Sequence, residues 1–275
     1  MSKAKTPTSL NHYKELLKLI QKLSHVHSSW RVFTDFLAMS AISISNSVDK
    51  GQYDKREAEY MEIVGRYNKD ELQLFPAMLG HLINEMDRYV ATEGPYDVLG
   101  KLFHELELHN KYKGQFFTPQ HICDFMGAIV LQEDDAIIAR DGYISVSEPC
   151  CGSGAMILGF ARAMHKNNHS HTHQMWVEAR DLDLKCVHMC YLQLSLYGIP
   201  AVVIHSNSLT LEEFSRWYTP VYILDNWPLK KRLAQMRRLL VPEPEDKRFY
   251  FEFEDEPRIV MPPASQLNLF EEVVG

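Results

Sequence analysis

The sequence predicts an α/β protein: a parallel sheet that holds a ligand at one end, preceded by an all-helical region. Three observations carry this. Beyond about residue 120, short β-branched runs alternate with apolar stretches of helical spacing. A glycine turn, Gly152-Ser153-Gly154, joins one of those strands to the next helix. Through the first hundred residues, apolar side chains recur at helical spacing.

Taken in order, residues 1–8 read as a disordered lead. Helices are expected from Leu10 to about Val26, where Leu16, Leu17, Ile20 and Leu23 share a face, from Trp30 to about Ser43, and over Asp54–Tyr67, Leu72–Val90 and Pro95–Leu108. This region reads as a packing scaffold or as a platform for a partner or DNA. Its end falls near Asn110, which divides the chain into a helical domain 1–110, a Rossmann-like domain 111–241 and an extension 242–275. A helix His121–Leu131 leads through an acidic turn to the strand Tyr143–Val146. Helix 154–166, strand 175–180, helix 184–197, strand 201–205, a short helix near 210–217 and strand 220–225 follow. Such alternation implies right-handed crossovers and a ligand at the carboxyl ends of the strands. In the extension, Val241-Pro242-Glu243-Pro244 breaks any helix, Phe249–Phe253 reads as an edge strand, and Met261–Ser265 as a linker.

A chain of 275 residues, 45% hydrophobic and 24% charged, can bury a substantial core. No apolar run approaches the roughly 20 residues that span a bilayer. Met1-Ser2-Lys3-Ala4-Lys5 lacks the apolar core of a signal peptide, so a cytoplasmic protein with no membrane attachment is expected. The five cysteines are odd in number, and Cys186 and Cys190 have no second pair to complete a zinc set, which fits reduced thiols. The histidines of residues 165–173 lie in a polar connection without ordered spacing, and no metal is expected there. A net charge of −7 excludes a generic nucleic-acid coat, because phosphate neutralisation supplies most non-specific affinity. Contact with DNA would need a local basic face or a partner subunit.

The glycine turn has a definite chemistry. Glycine lets the backbone approach a bound molecule, and the free amides at the start of the following helix favour an anion. Glu148, at the strand's end, can pair with a cation. Adjacent seats for an anion and a cation suit an amino-acid zwitterion, such as the methionine end of S-adenosylmethionine.

The stretch Ser147-Glu148-Pro149-Cys150-Cys151-Gly152-Ser153-Gly154, with its acidic-Pro-x-Cys-Gly-Ser-Gly pattern, resembles the cofactor motif of amino-group DNA methyltransferases, especially the methylation subunits of type I restriction-modification systems. Gly114-Gln115-Phe116-Phe117-Thr118-Pro119 is similar to that group's other signature, and Tyr96–Leu106 to the helix before it. The resemblance covers roughly residues 95–210. It implies S-adenosylmethionine as cofactor, with Gln115, Phe117, Thr118 and Pro119 beside it and Glu148, Gly152, Ser153 and Gly154 around its methionine moiety. Asp181 would take the ribose hydroxyls, since the helix after it ends in Leu194-Ser195-Leu196-Tyr197-Gly198-Ile199, similar to the family's Leu-x-x-His-Gly-Ile; the alternative for Asp181, and still more for Asp183, is a helix cap. Asn207 stands where the family has an aspartate, and reads either as an adenine contact or as a simple turn residue.

Asp225-Asn226-Trp227-Pro228-Leu229 occupies the place of the family's Asn/Asp-Pro-Pro-Tyr/Phe. There an asparagine oxygen and a main-chain carbonyl accept the two amino hydrogens of a flipped-out adenine, concentrating charge on the nitrogen that attacks the methyl group, while an aromatic ring stacks on the base. The resemblance assigns these roles to Asn226, Trp227 and Pro228, in a degenerate form. Trp227 replaces the first proline and Leu229 the aromatic residue, a loss worth about 1–3 kcal/mol of stacking.

The expected function is therefore methylation of adenine N6 in DNA, with base recognition supplied by a specificity or other subunit. Two alternatives remain: a weakened or inactive cofactor-binding subunit, and methylation of another amide or amine such as a protein glutamine. Lys230-Lys231-Arg232 and Arg237-Arg238 give a helix whose basic face either grips phosphates or is merely solvated. The tail Gln266-Leu267-Asn268-Leu269-Phe270 resembles the pentapeptide that docks bacterial proteins on the polymerase sliding clamp, with an internal packing tail as the alternative.

Overall fold

The structure, a computed structural model, describes residues 10–106, 118–131 and 135–240. The chain divides into two compact units, Met1–Arg237 and Arg238–Gly275. The lead 1–8, the boundary near Asn110, Gln115, Phe117, the strand at 249–253, the linker at 261–265 and the pentapeptide 266–270 lie outside the described residues.

The helical front comprises α1 (His12–Ser24), α2 (Ser29–Val48), α3 (Tyr53–Val64), α4 (Lys69–Leu72), α5 (Leu74–Thr92) and α6 (Val98–Glu105). Asn11, Ser28 and Asp97 cap α1, α2 and α6 with side-chain oxygens, each accepting an N–H of the first turn. Leu16, Ile20, Phe33, Phe36, Met78 and Leu82 fill the space between them and are fully buried. α2 runs past the expected stop at Ser43. Its polar end, Ser45-Asn46, is buried against α3, where Arg56 donates to Ser45 Oγ and Asn46 Nδ2 donates to Glu57 at 2.9 Å. Tertiary partners thus hold a stretch whose composition reads as a loop.

Next come α7 (Gln120–Leu131), α8 (Asp135–Asp141), β1 (Ile144–Glu148), α9 (Ala155–Lys166), β2 (Met175–Asp181), α10 (Leu184–Leu196) and β3 (Ala201–Asn207). β1 pairs with β2 and β2 with β3, both parallel, with Glu148 level with Ala179 and Asp181 level with His205. Val177, Ala179, Ala201 and Val203 share one face of the sheet and are fully buried in the core that includes α9 and α10. α10 packs against β2 and β3 and also against α2 and α6, so the helical front and the sheet share this helix.

The remainder departs from expectation. Residues 210–217, expected as a helix, contain β4 (Glu212–Tyr218), which pairs antiparallel with β3. Trp217 fixes it, lying 5.4 Å from the ring of Tyr191 and 4.0 Å beneath the guanidinium of Arg56. The sheet is therefore mixed, in the order β1-β2-β3-β4. Residues 220–225, expected as a strand, form α11 (Pro220–Leu224), followed by α12 (Trp227–Leu240). Proline at the first helical position after Thr219 is a helix start, a signal that the β-branched run obscured.

α7 crosses α9 at a glycine contact. A Cβ on Gly159 would fall 2.5 Å from the carbonyl oxygen of Cys123, and one on Gly127 2.7 Å from that of Gly159. Both neighbours are backbone and cannot rotate away. Gly159→Ala should therefore cost about 1–3 kcal/mol and several degrees of Tm, whereas Gly80→Ala, with open space in α5, should leave Tm unchanged or raise it; paired thermal melts check this.

His188 is buried in α10, edge-on to Trp217 at 4.8 Å, and burial lowers its pKa to about 3. The unfolded chain then binds a proton that the folded chain refuses. Stability should be complete above the ordinary histidine value of 6.5 and fall as pH drops towards 3, by up to about 1.4 kcal/mol per pH unit. Urea midpoints at neutral and mildly acid pH should diverge more for the wild type than for His188→Leu.

Candidate functional site

Glu148, Asp181 and Asn207 are the last residues of β1, β2 and β3, so the three parallel strands present them at one end of the sheet. Register places Glu148 and Asp181 on the same face, with Cα atoms about 8 Å apart from strand spacing and rise. Between them runs the loop 149–154. Cys151 N–H donates to Arg180 O at 2.8 Å and Gly152 N–H to Asp181 Oδ2 at 2.8 Å, which ties the loop to the end of β2. Ser208 Oγ donates to Pro149 O, tying it to the turn after β3. Gly152 at φ 54 and Gly154 at φ 93 make the bend in left-handed backbone, and a Cβ on Gly154 would stand 3.3 Å from Cys190 Sγ. The first intrahelical bond of α9 joins Leu158 N–H to Gly154 O, so the amides of residues 155–157 precede the ladder and point out of the helix end.

Asp181 is half-buried, and burial raises its carboxyl above the usual aspartate range. Its oxygens accept from Gly152 N–H and from Asp183 N–H at 2.9 Å, with the Leu182 N–H also lowering its pKa, and acceptor capacity remains on the carboxylate. Asp183 caps α10 through Lys185 N–H, the structural role weighed for it. Asn207 Oδ1 accepts from Leu209 and Thr210 N–H at 3.0 and 3.3 Å, so its side-chain oxygen builds its own turn. Glu148 Oε1 accepts from Cys150 N–H at 3.2 Å.

Ser153 does not face this end. It is 1% exposed, and its hydroxyl donates to Asp97 Oδ2 at 2.6 Å. Asp97 Oδ1 also accepts from Gly100 N–H at 2.7 Å and from Gln193 Nε2 at 2.8 Å, while Gln193 donates again to Ser153 O and accepts from Leu99 N–H. Burial raises the Asp97 carboxyl above its ordinary value, against the lowering by Ser153, Gln193 and Gly100. Sequence reading missed Asp97 and Gln193. A polar residue inside Tyr191-Leu192-Gln193-Leu194 was the available signal.

Thr118 and Pro119 are exposed at the start of α7, where Pro119 O accepts from Ile122 N–H, and Gln120 Oε1 accepts from Asp97 N–H at 3.3 Å. The motif's described end thus lies one side chain from the Asp97 junction. Cys151 is structural: its hydrogen bond with Cys190, then burial, raises its thiol well above the ordinary value.

Asn226, Trp227 and Pro228 stand elsewhere. Trp227 is fully buried against Tyr143, just before β1, and clusters with Trp176 near the start of β2. That is the amino end of the parallel strands, opposite Glu148 and Asp181. Asn226, at φ 50, offers its carbonyl to Leu229 and Lys230 N–H, and Trp227 opens α12, where its own carbonyl belongs to the helical ladder. Asn226 and the strand-end carboxylates are not brought together in this arrangement.

The described donors fit an adenosyl amino acid: a carboxylate at the end of β1, free helix amides beside it, and a carboxylate with spare acceptor capacity at the end of β2.

The family model for N-6 DNA Methylase matches residues 96–258, more than half of the chain. Among solved structures, a protein assigned as a class I S-adenosylmethionine-dependent methyltransferase from Listeria monocytogenes aligns at 14% identity over 72% of this chain and 54% of that chain, with a TM-score of 0.41. The methyltransferase subunit of a type I restriction-modification system from Streptococcus thermophilus aligns at 17% identity over 72% of this chain and 39% of that one, with a TM-score of 0.36. The chain thus spans well under two thirds of either. No curated protein matches it.

Ser153→Ala should lower stability by about 1–3 kcal/mol, because a buried carboxylate loses a donor, with ligand affinity following only through that loss. A denaturant midpoint measured beside a binding isotherm separates this from a ligand-facing serine, whose removal would shift the isotherm alone.

Proposed function

The chain belongs to the N-6 DNA methylase family, and from that premise we propose that it serves S-adenosylmethionine-dependent methylation of adenine N6 in DNA, contributing the seat for the methyl donor. The observation that carries this is the gathering of Glu148, the glycine loop and Asp181 at one end of the strands. Glu148 would hold the donor's ammonium, the first amides of α9 its carboxylate, and Asp181 the ribose hydroxyls. When bound, the donor supplies an electrophilic methyl group on a sulfonium. The chain's part is to fix that group in place. Asp181 is already oriented by Gly152 N–H, so the contact costs little further ordering.

The position of Asn226 favours a second reading, a cofactor-binding subunit that needs another polypeptide to frame the base. Trp227 is locked in the small cluster at the far end of the sheet, so Asn226 does not reach the donor seat without a rearrangement of α11 and α12. DNA and a base-reading subunit are the partners that either reading requires.

Calorimetry with S-adenosylmethionine tests the seat. Asp181→Ala should weaken binding about tenfold or more with the fold intact, and unchanged affinity would remove Asp181 from the pocket. Transfer of labelled methyl groups into unmethylated DNA, with and without the products of neighbouring genes, tests the chemistry. Incorporation that Asn226→Ala abolishes supports the first reading. Donor binding by the chain alone, with incorporation that needs a neighbouring gene's product and survives Asn226→Ala, supports the second; binding without incorporation in any combination counts against both as methylation readings, and failure to bind the donor overturns both.

A further inference from the structure

The cations of α12 do not form one face. Lys231 Nζ stands 3.5 Å from the ring centre of Trp176, and Arg232 is exposed, about 140° around the helix from Arg237. Trp227, Lys230, Ala234 and Arg237 instead recur every three or four residues and share one side. That side borders a cavity of about 230 Å³ at the amino end of the strands, whose other walls are Asp141-Gly142-Tyr143 and His173. Buried Tyr143, Trp227 and Ala234 give it an apolar lining.

The charges around it do not cancel. Lys230 and His173 share the carboxylate of Asp225, at 3.3 and 3.7 Å, and the buried Asp141 is bridged by Arg140 at 2.8 Å. Arg237 is exposed and has no carboxylate partner among the described residues, so its charge is left over. A second group is unmatched too. The indole N–H of Trp227, fully buried at the border of the cavity, has no acceptor among the described residues. A donor stranded in a dry interior is costly, and folded proteins rarely keep one without something to accept it.

We propose that this cavity binds a nucleotide unit, its phosphate ester held by Arg237 and Lys230, its ring against Tyr143 and Leu233, and one of its acceptor atoms answering the indole N–H of Trp227. Size selects this class. A cavity of about 150 Å³ takes one benzene ring, so a volume half as large again has space for a flat ring with an anionic group and is too roomy for phosphate alone. Reach agrees with size. Lys230 and Arg237 are separated by about 10 Å along the helix axis, within the combined span of two long side chains, and the arginine fork matches phosphate oxygens in pairs. The same chemistry belongs to a free nucleotide and to a nucleotide of single-stranded DNA. The cavity lies away from the donor seat and stands or falls independently of it.

Calorimetry of the full chain with thymidine 5′-monophosphate reads this site, because the ring differs from the adenine of the methyl donor. Arg237→Ala should raise Kd about tenfold or more. Trp227→Phe, which keeps a ring and removes the N–H, should raise it about threefold; if that variant fails to fold, the exposed Arg237 decides. Arg232→Ala, elsewhere around α12, and Asp181→Ala, at the donor seat, should leave Kd unchanged. Displacement of the nucleotide by single-stranded oligothymidylate assigns the ligand to DNA, and failure to displace it assigns the ligand to the free nucleotide. In the full chain the acidic extension 242–275 competes for the same cations, so a wild type that does not bind overturns the proposal. So does binding that Arg237→Ala leaves intact, a loss that Arg232→Ala or Asp181→Ala shares, and inorganic phosphate that binds as tightly as the nucleotide.

Discussion

A carboxylate with no access to water has to be matched donor by donor, and Asp97 is matched by the hydroxyl of Ser153, the amide of Gln193 and the N–H of Gly100. These donors come from three parts of the chain: the first turn of α6, the glycine loop and the middle of α10. Removing any one of them leaves a polar atom stranded in a dry interior, at a cost larger than the bond itself contributes. The junction therefore fixes where the loop stands relative to the helical front. It also explains why the helical region is more than a separate cap: the loop after β1 is positioned from behind by a residue some fifty positions earlier.

From that fixed loop the carboxyl end of the strands follows. Cys151 and Gly152 bond to the end of β2, and the turn after β3 holds Pro149, so three strand ends and one loop are tied together. The opposite end of the sheet is organised separately, around Trp227, Tyr143 and Trp176, with Lys231 Nζ 3.5 Å from the ring centre of Trp176. The two ends are separated by the length of the strands, about 13 Å or more at 3.3 Å per residue. Chemistry that needs Asn226 beside the donor seat must exchange one buried tryptophan cluster for another environment, and burial of an aromatic ring is among the larger single contributions to a core.

Much of this was legible in the sequence where local pattern and tertiary demand agree. The strand–glycine–helix unit and the alternation through β3 are fixed by side-chain period and by backbone conformations that glycine favours, and both survive unchanged in the structure. The positions of Glu148 and Asp181 at one end of the sheet follow from the rule that parallel strands end on one side. Legibility failed after Asn207. Glu212–Tyr218 carries helix-tolerant charges but is held as a strand by the docking of Trp217 against α10, a long-range contact that no window of sequence contains. The next segment opens with Thr219-Pro220, a helix start, and leaves the sheet as α11. The bond of Ser153 was illegible for a related reason: its partner Asp97 lies far away in sequence and is visible only in three dimensions.

The sheet is covered unevenly, and that links its features. Val177, Ala179, Ala201 and Val203 face a full helical layer, while the other side is divided: Trp176, Val202 and Ile204 are buried there, and Ser145, Ser147, Glu178 and Arg180 are polar, with Arg180 bridged to Glu178 and Glu213 at 2.9 and 3.0 Å. Parallel strands are ordinarily buried on both faces and then read as continuous apolar runs. β3 reads that way through Ala201-Val202-Val203-Ile204, whereas β1 and the end of β2 alternate with polar residues, so the polar part of the second face is written into the sequence. Ion pairs of this kind add little stability when exposed, but they keep an open face soluble. The outer edge of β1 has no such ion pairs: its neighbours are the apolar stripe of α7 and a largely apolar cavity that Glu148 lines at the strand's end. A face furnished with charges is built to meet water. The α7 stripe of Phe125, Ile129 and Val130 carries no such charges, so the two surfaces beside one four-stranded sheet differ in kind.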